Sequence, residues 1–213
     1  MGIKTLILDL DGPILDTRDR HYACYRDILM QYDQTVLTQE DYWQRKRMGQ
    51  SNREILTAMG CGHLVKSFQQ AWLARIETDK YLKYDHMQPG AIEKLQQWHQ
   101  SGYEMLLVTL RQSQQRLMSQ LTQLQIDLYF NHILICEHAQ GGHGKADAVR
   151  HAVPWVMPTQ ALWIGDSEVD WIGAQNYGCL FGAVSGGVRS PQYLQKIGVE
   201  RISPSLGDID LNG

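Results

Sequence analysis

The chain is predicted to be an α/β protein, a doubly wound parallel sheet interrupted by one inserted helical segment, and three observations on its 213 residues carry that prediction. Short apolar runs alternate with amphipathic stretches along most of the chain. Runs such as Leu106-Leu107-Val108 and Ile133-Leu134-Ile135 show no inside/outside alternation, as suits parallel strands covered by helices on both faces. One long segment after the first run holds no strand pattern at all.

In chain order, strands are predicted within Ile3 to Leu10, Met105 to Leu110, Ile133 to Cys136, Ala161 to Ile164 and Leu180 to Val184. Between them, Ile92, Leu95 and Trp98 recur at helical spacing after Pro89-Gly90, and Leu117, Leu121, Leu124 and Leu128 do so in a Gln-rich stretch. The exception runs from about Asp16 to His86. Its apolar positions, among them Ile55, Leu56, Met59, Leu64, Val65, Phe68, Trp72, Leu73 and Ile76, suffice for a small helical bundle. The expected organisation is therefore an α/β core from residues 1–15 and 87–213, with residues 16–86 inserted at the C-terminal end of the first strand. In open parallel sheets that edge is where ligands bind.

Composition excludes several functions. Twenty Lys and Arg against 23 Asp and Glu leave a net charge of −3, with no Lys/Arg block of the kind that displaces counterions from nucleic acid. No apolar run approaches the roughly 20 residues of a membrane span. The N-terminus carries no secretory pattern, and Leu6 stands where a myristoylation motif needs Ser or Thr, so a cytoplasmic location is expected. Cys24, Cys61, Cys136 and Cys179 are too dispersed for a zinc motif and read as reduced thiols.

The chemistry-bearing residues collect at strand ends. Asp9 and Asp11, in Asp9-Leu10-Asp11-Gly12, stand two residues apart and so share one side of the chain as the first strand gives out. Two acids beside a Leu/Ile run are costly unless a cation, hydrogen bonds or a shared proton compensates them. Gly165-Asp166-Ser167-Glu168-Val169-Asp170 repeats the placement after another apolar run. Acids converging from two strand ends offer the oxygen ligands that Mg²⁺ selects. Asp170 also reads as a helix-start acid, Thr109 as a helix cap and Lys145 as a surface lysine when each is taken alone. Gly141-Gly142-His143-Gly144 before Lys145 is not a P-loop, because Ala139 and Ala146 stand where that motif needs Gly and Ser or Thr.

Together, Asp9-Leu10-Asp11-Gly12, the strand-ending Thr109, Lys145 and Gly165 to Asp170 resemble the four motifs of haloacid dehalogenase superfamily phosphatases, and the Pro89-Gly90-Ala91 helix start and the Arg201 to Leu206 tail are similar to the phosphoglycolate phosphatase branch. The resemblance covers nearly the whole chain. It implies a Rossmann-like core with a helical cap and a Mg²⁺-dependent hydrolase acting on a small phosphorylated metabolite through an aspartyl phosphate. In it Asp9 is the nucleophile, Asp11 protonates the leaving oxygen and then activates water, and Mg²⁺ is held by Asp9, Asp166 and the backbone carbonyl of Asp11. Thr109, Leu110 and Lys145 bind the phosphoryl group, Lys145 also shields Asp9 from Asp166, and Asp170 acts from behind the metal ligands.

Arg47, Gly49 and Arg53 in the insertion, and Arg111 after Thr109, are further candidate substrate contacts; Arg111 also reads as the cover of a helix end. Trp43 is the one tryptophan singled out as a substrate contact, and Pro13 departs from the family's usual Thr. His138 and His143, near Lys145, lack metal-ligand spacing. The rival readings are a phosphomutase of the β-phosphoglucomutase type and a catalytically idle phosphate-binding protein. Asp11 disfavours dehalogenases, which lack that acid, and phosphonate hydrolases, which generally carry Ala there.

Overall fold

A computed structural model describes residues 2–211. Its strands are β1 (Thr5–Leu8), β2 (Leu15–Asp16), β3 (His86–Met87), β4 (Glu104–Thr109), β5 (His132–Ile135), β6 (Ala161–Gly165), β7 (Leu180–Val184) and β8 (Ile202–Ser203). Six of them form a parallel sheet in the order β5-β4-β1-β6-β7-β8. The chain steps from β1 to one side through β4 and β5, then crosses back to β6 on the other. That reversal leaves a crevice at the C-terminal end of β1.

The uninterrupted apolar runs follow from two-sided burial. Leu6, Leu8, Met105, Leu107, Leu162 and Ile164 point into one layer, against helices α6 (Ala91–Gln100) and α7 (Gln114–Gln123). Their strand neighbours Ile7, Leu106, Val108, Ala161 and Trp163 point into the other, against α8 (Gly141–Ala152) and α9 (Glu168–Tyr177). A last short helix, α10 (Pro191–Lys196), adds Leu194 to that second layer. The Gly-rich stretch before Lys145 is not a loop: it is the first turn of α8, and a Cβ at Gly142 would overlap the backbone of α9. Small residues there let the two helices touch and carry Lys145 inward. The strand β8 escaped the sequence because two residues give no pattern to read.

Residues between β2 and β3 form helices α1 (Arg18–Met30), α2 (Gln39–Arg47), α3 (Asn52–Ala58), α4 (Val65–Arg75) and α5 (Asp79–Leu82). They have their own core, in which Tyr25 stacks on Tyr42 at 4.2 Å and packs near Phe68. Not every predicted apolar position joins a core: Leu73 and Leu128 are more than half exposed. The insertion leaves and re-enters the sheet side by side, because Leu15 and Asp16 pair antiparallel with Met87 and His86. Two further ties fasten it. Glu77 accepts hydrogen bonds from the amides of Gln112 and Ser113, while Arg47 donates to the carbonyls of Ser185 and Gly187.

Candidate active site

Each adjacent strand delivers one polar residue to the crevice. Asp9 follows β1, its amide donating to the Ile164 carbonyl at 3.0 Å; Thr109 closes β4; Asp166 follows β6. These residues, with Asp11, Leu110 and Lys145, line a cavity of about 260 Å³ roofed by residues of the inserted helices, including Lys46, Trp72 and Ile76.

Around Asp9 and Asp11 the charges fall into two groups. In the first, the Lys145 ammonium donates to Asp9 at 2.8 Å and to Asp170 at 2.7 Å, while Asp166 stands beside them. All four are buried. Oxygens of Asp9, Asp166 and Asp170 lie within 4.8 Å of one another. Three carboxylates against one ammonium leave two negative charges if all ionise, an arrangement that low dielectric strongly opposes. Burial, opposed by Lys145 and reinforced by Asp170 and Asp11, pushes Asp9 up to about 7. Burial and the two neighbouring acids drive Asp166 well above the usual range. Asp166 is also tightly enclosed. The Val188 amide donates to it at 2.5 Å, and a Cβ at Gly12 or Gly187 would overlap its carboxylate. Gly12, at φ +108°, occupies backbone that L side chains rarely adopt.

A hard divalent cation fits this group, since it would cancel the residual charge with oxygen ligands alone. Asp9 and Asp166 are its natural holders. Asp170 is otherwise engaged, with Lys145 on one oxygen and the Ser167 hydroxyl on the other at 2.8 Å.

The second group is self-neutralised. Arg111 grips Asp11 with two hydrogen bonds, Nε to Oδ2 at 2.7 Å and Nη2 to Oδ1 at 2.6 Å, and Arg20 Nη2 adds a third at 2.8 Å. Behind them Asp85, its side chain fully buried, lies 3.1 Å from each guanidinium and accepts from Gln120 at 2.8 Å. Two acids meet two arginines. Burial pushes the Asp11 carboxyl upward, but Arg111 and Arg20 outweigh it and hold the group well below the carboxylate range.

Of the residues predicted for the site, Asp9, Asp11, Thr109, Leu110, Lys145, Asp166 and Arg111 line the cavity, and Asp170 stands buried behind Lys145. Several assignments are corrected. Lys145 bridges Asp9 and Asp170 instead of separating Asp9 from Asp166. Arg111 covers no helix end, because its guanidinium is spent on Asp11 and Asp85. Arg47 is diverted to the Ser185 and Gly187 carbonyls, Gly49 lies against the Tyr193 ring, and Arg53 is exposed; none of the three lines the cavity. Trp43 is buried in the core of the insertion, beside His21.

Sequence reasoning missed Arg20, His21, Trp72, Glu168 and Arg189, all of which line the cavity, as does Lys46 of the basic stretch that contains Arg47. Arg189 forks Glu168 with two 2.6 Å bonds and donates to the Lys46 carbonyl. Burial, then Arg189, lowers Lys46 to about 8, and burial with Arg20 and Lys46 pushes His21 well below the usual histidine range. One signal was available: Arg20 lies one helical turn after Thr17, where the insertion leaves the strand end.

Comparisons with known proteins give the family and the fold. The profile described as haloacid dehalogenase-like hydrolase matches residues 6–184. A phosphoglycolate phosphatase of Aliivibrio fischeri is 28% identical over 197 residues, spanning 83% of this chain and 82% of its own. The pyrophosphatase PpaX of Listeria monocytogenes is 20% identical over 212 residues, spanning 97% and 94%. Among solved structures, a chain from Bacteroides fragilis assigned to the haloacid dehalogenase-like hydrolases superposes with a TM-score of 0.76 at 22% identity, covering 96% of this chain and 98% of that one. A haloacid dehalogenase-like family hydrolase from Streptococcus pneumoniae gives 0.71 at 19%, covering 96% and 95%. Both show the fold.

Proposed function

The chain belongs to the haloacid dehalogenase-like hydrolase family, and from that premise we propose that it hydrolyses a small phosphate monoester, with Mg²⁺ and through a phosphoryl group carried on Asp9. The observation behind the reading is the setting of Asp9: a carboxylate at the end of the central strand, opening on a small cavity, held by a buried ammonium and flanked by Thr109 and Asp166.

In the first half-reaction an Asp9 oxygen attacks phosphorus, the P–O bond to the substrate alcohol breaks, and an acyl phosphate forms. In the second, water attacks that phosphorus, Asp9 is released and inorganic phosphate leaves. Lys145 and Thr109 offer N–H and O–H donors to the phosphoryl oxygens as charge develops on them. Asp9, Asp166 and the backbone carbonyl of Asp11 would hold Mg²⁺, which when bound supplies neutralisation of phosphoryl charge. In the second half-reaction Asp11 would accept the proton of the attacking water, and because Arg111 and Arg20 hold its carboxyl low and so make it a weak base, that role requires it to loosen from them. Protonating the leaving alcohol requires the same loosening. Alkyl phosphates therefore depend on that loosening more than aryl phosphates, whose leaving groups need no proton.

The test is hydrolysis of p-nitrophenyl phosphate with Mg²⁺. Wild type turns it over, EDTA abolishes turnover, and Asp9→Asn loses it. Equal rates for wild type and Asp9→Asn overturn the reading.

A further inference from the structure

Arg47 does not line the cavity, yet one peptide group ties it to an acid that does. Its guanidinium donates through Nη1 to the Gly187 carbonyl at 2.8 Å and through Nη2 to the Ser185 carbonyl at 3.0 Å. The Gly187 carbonyl belongs to the same peptide unit as the Val188 amide, which donates to Oδ2 of Asp166 at 2.5 Å. A peptide is planar, so a cation that fixes the direction of its C=O fixes the direction of its N–H as well. The guanidinium also draws charge onto that carbonyl oxygen, which makes the N–H a stronger donor. Burial lowers the Arg47 guanidinium, and the charge that most opposes this is Asp166.

The insertion shapes the rest of this loop, residues 185–190 after β7, in the same way. The Ser190 amide donates to the Arg47 carbonyl at 2.9 Å, so Arg47 grips the loop at both ends. Arg189 donates to the Lys46 carbonyl at 2.7 Å, and the Val188 side chain packs against the core of the insertion. The opposite side of the loop lies directly on Asp166, where a Cβ at Gly187 would come within 2.0 Å of Oδ2. A single layer of backbone therefore separates the insertion from Asp166, and its hold on Oδ2 sets the rotation of the carboxylate. Groups that orient a metal ligand from behind change metal affinity by about 10–100-fold when removed.

We propose that Arg47 is a positioning residue for the cation site: acting through the Gly187–Val188 peptide, it holds Asp166 in the orientation that binds a divalent cation, so the site is complete only while the insertion sits on the loop after β7. The inference rests on the reading of Asp166 as a cation holder and adds the side chain, outside the cavity, on which that role depends. A bare positive charge at Arg47 would act in the opposite direction, because it repels a cation. The sign of the effect thus separates positioning from charge.

Excess Mg²⁺ masks a loss of affinity in turnover, so the cation itself is titrated. Mg²⁺ is added calorimetrically, without phosphate, to wild type, Arg47→Ala, Arg47→Lys and Glu77→Ala, with circular dichroism confirming that each variant folds. Glu77 supplies the comparison: it too fastens the insertion, but its bonds among the described residues go to the Gln112 and Ser113 amides. Arg47→Ala should weaken Mg²⁺ binding by about fivefold or more. Arg47→Lys keeps the charge without the planar fork and should lie between Arg47→Ala and wild type, while Glu77→Ala should stay within about twofold of wild type. Binding by Arg47→Ala as tight as wild type, or tighter, overturns the inference. An equal loss in Glu77→Ala also overturns it, by tracing the effect to docking in general. Should Arg47→Ala not fold, Arg47→Lys decides: affinity below wild type and below Glu77→Ala supports the inference, and affinity equal to wild type overturns it. A wild type that takes up no Mg²⁺ overturns the cation reading first and this inference with it, a result distinct from binding that ignores Arg47.

Discussion

Two ion clusters a few residues apart in sequence face one cavity with opposite charge balance. Asp9, Asp166, Asp170 and Lys145 are short of positive charge, whereas Asp11, Asp85, Arg20 and Arg111 cancel. The same residue type, an aspartate at the tip of β1, is consequently driven in opposite directions: Asp9 up to about 7, Asp11 well below the carboxylate range. Sequence distance explains none of this; the partners do, Arg20 from the insertion, Arg111 from the loop after β4 and Lys145 from α8. The deficient cluster carries charge that a cation would cancel, whereas the balanced one is neutralised by its own arginines.

The largest effect should come from removing the acceptor. Asp9→Asn should lower aryl phosphate turnover by about a thousandfold or more, in line with removal of other nucleophiles. Lys145→Met comes next. It leaves Asp9 and Asp170 without their shared partner, and breaking a buried pair in this way costs about 3–5 kcal/mol, partly relieved by proton uptake. Chemical denaturation at neutral pH should show that loss, with less of it at pH 5, where the acids bind protons instead.

A subtler change sharpens the contrast from the other side. Arg111→Gln removes the main cation holding Asp11 down, so its folded-state pKa rises. If Asp11 must be ionised to take a proton from water, a step that follows loss of the alcohol, the acid limb of the rate of phosphoenzyme breakdown, read in single turnover, moves to higher pH. An unmoved limb would show that Asp11 does not act as that base. Smallest of all, Arg47→Ala severs only the bonds to the Ser185 and Gly187 carbonyls. It should raise KM by a few-fold at most, with kcat for aryl phosphate nearly kept.

What the sequence disclosed and what it concealed divide along the same line. The strand ends bearing Asp9, Thr109 and Asp166 were legible because each acid or hydroxyl interrupts an apolar run, an expensive placement visible in one dimension. The balanced cluster was not. Arg20 reads as one charge among many on a polar helix and Asp85 as a turn residue, and their meeting depends on the insertion folding back over α7. Arg47 misled for the converse reason: its donors go to backbone carbonyls, which no side-chain pattern announces. The helix start in the Gly-rich run was not legible because packing against α9, the reason for Gly142, is a tertiary fact.

The charge-deficient cluster offers the most direct test. For Asp9 the native pKa of about 7 exceeds its unfolded value, so without cation the folded state binds the extra proton and stability falls as pH rises from about 4 to about 7. A cation competes with that proton, so its stabilisation should grow over the same interval. The measurement is the melting temperature with and without Mg²⁺ between pH 5 and 7.5, for wild type, Asp166→Asn and Arg111→Gln. The account predicts a Mg²⁺-dependent rise that increases with pH in wild type and in Arg111→Gln and disappears in Asp166→Asn. An equal rise in all three, or none in wild type, would contradict it.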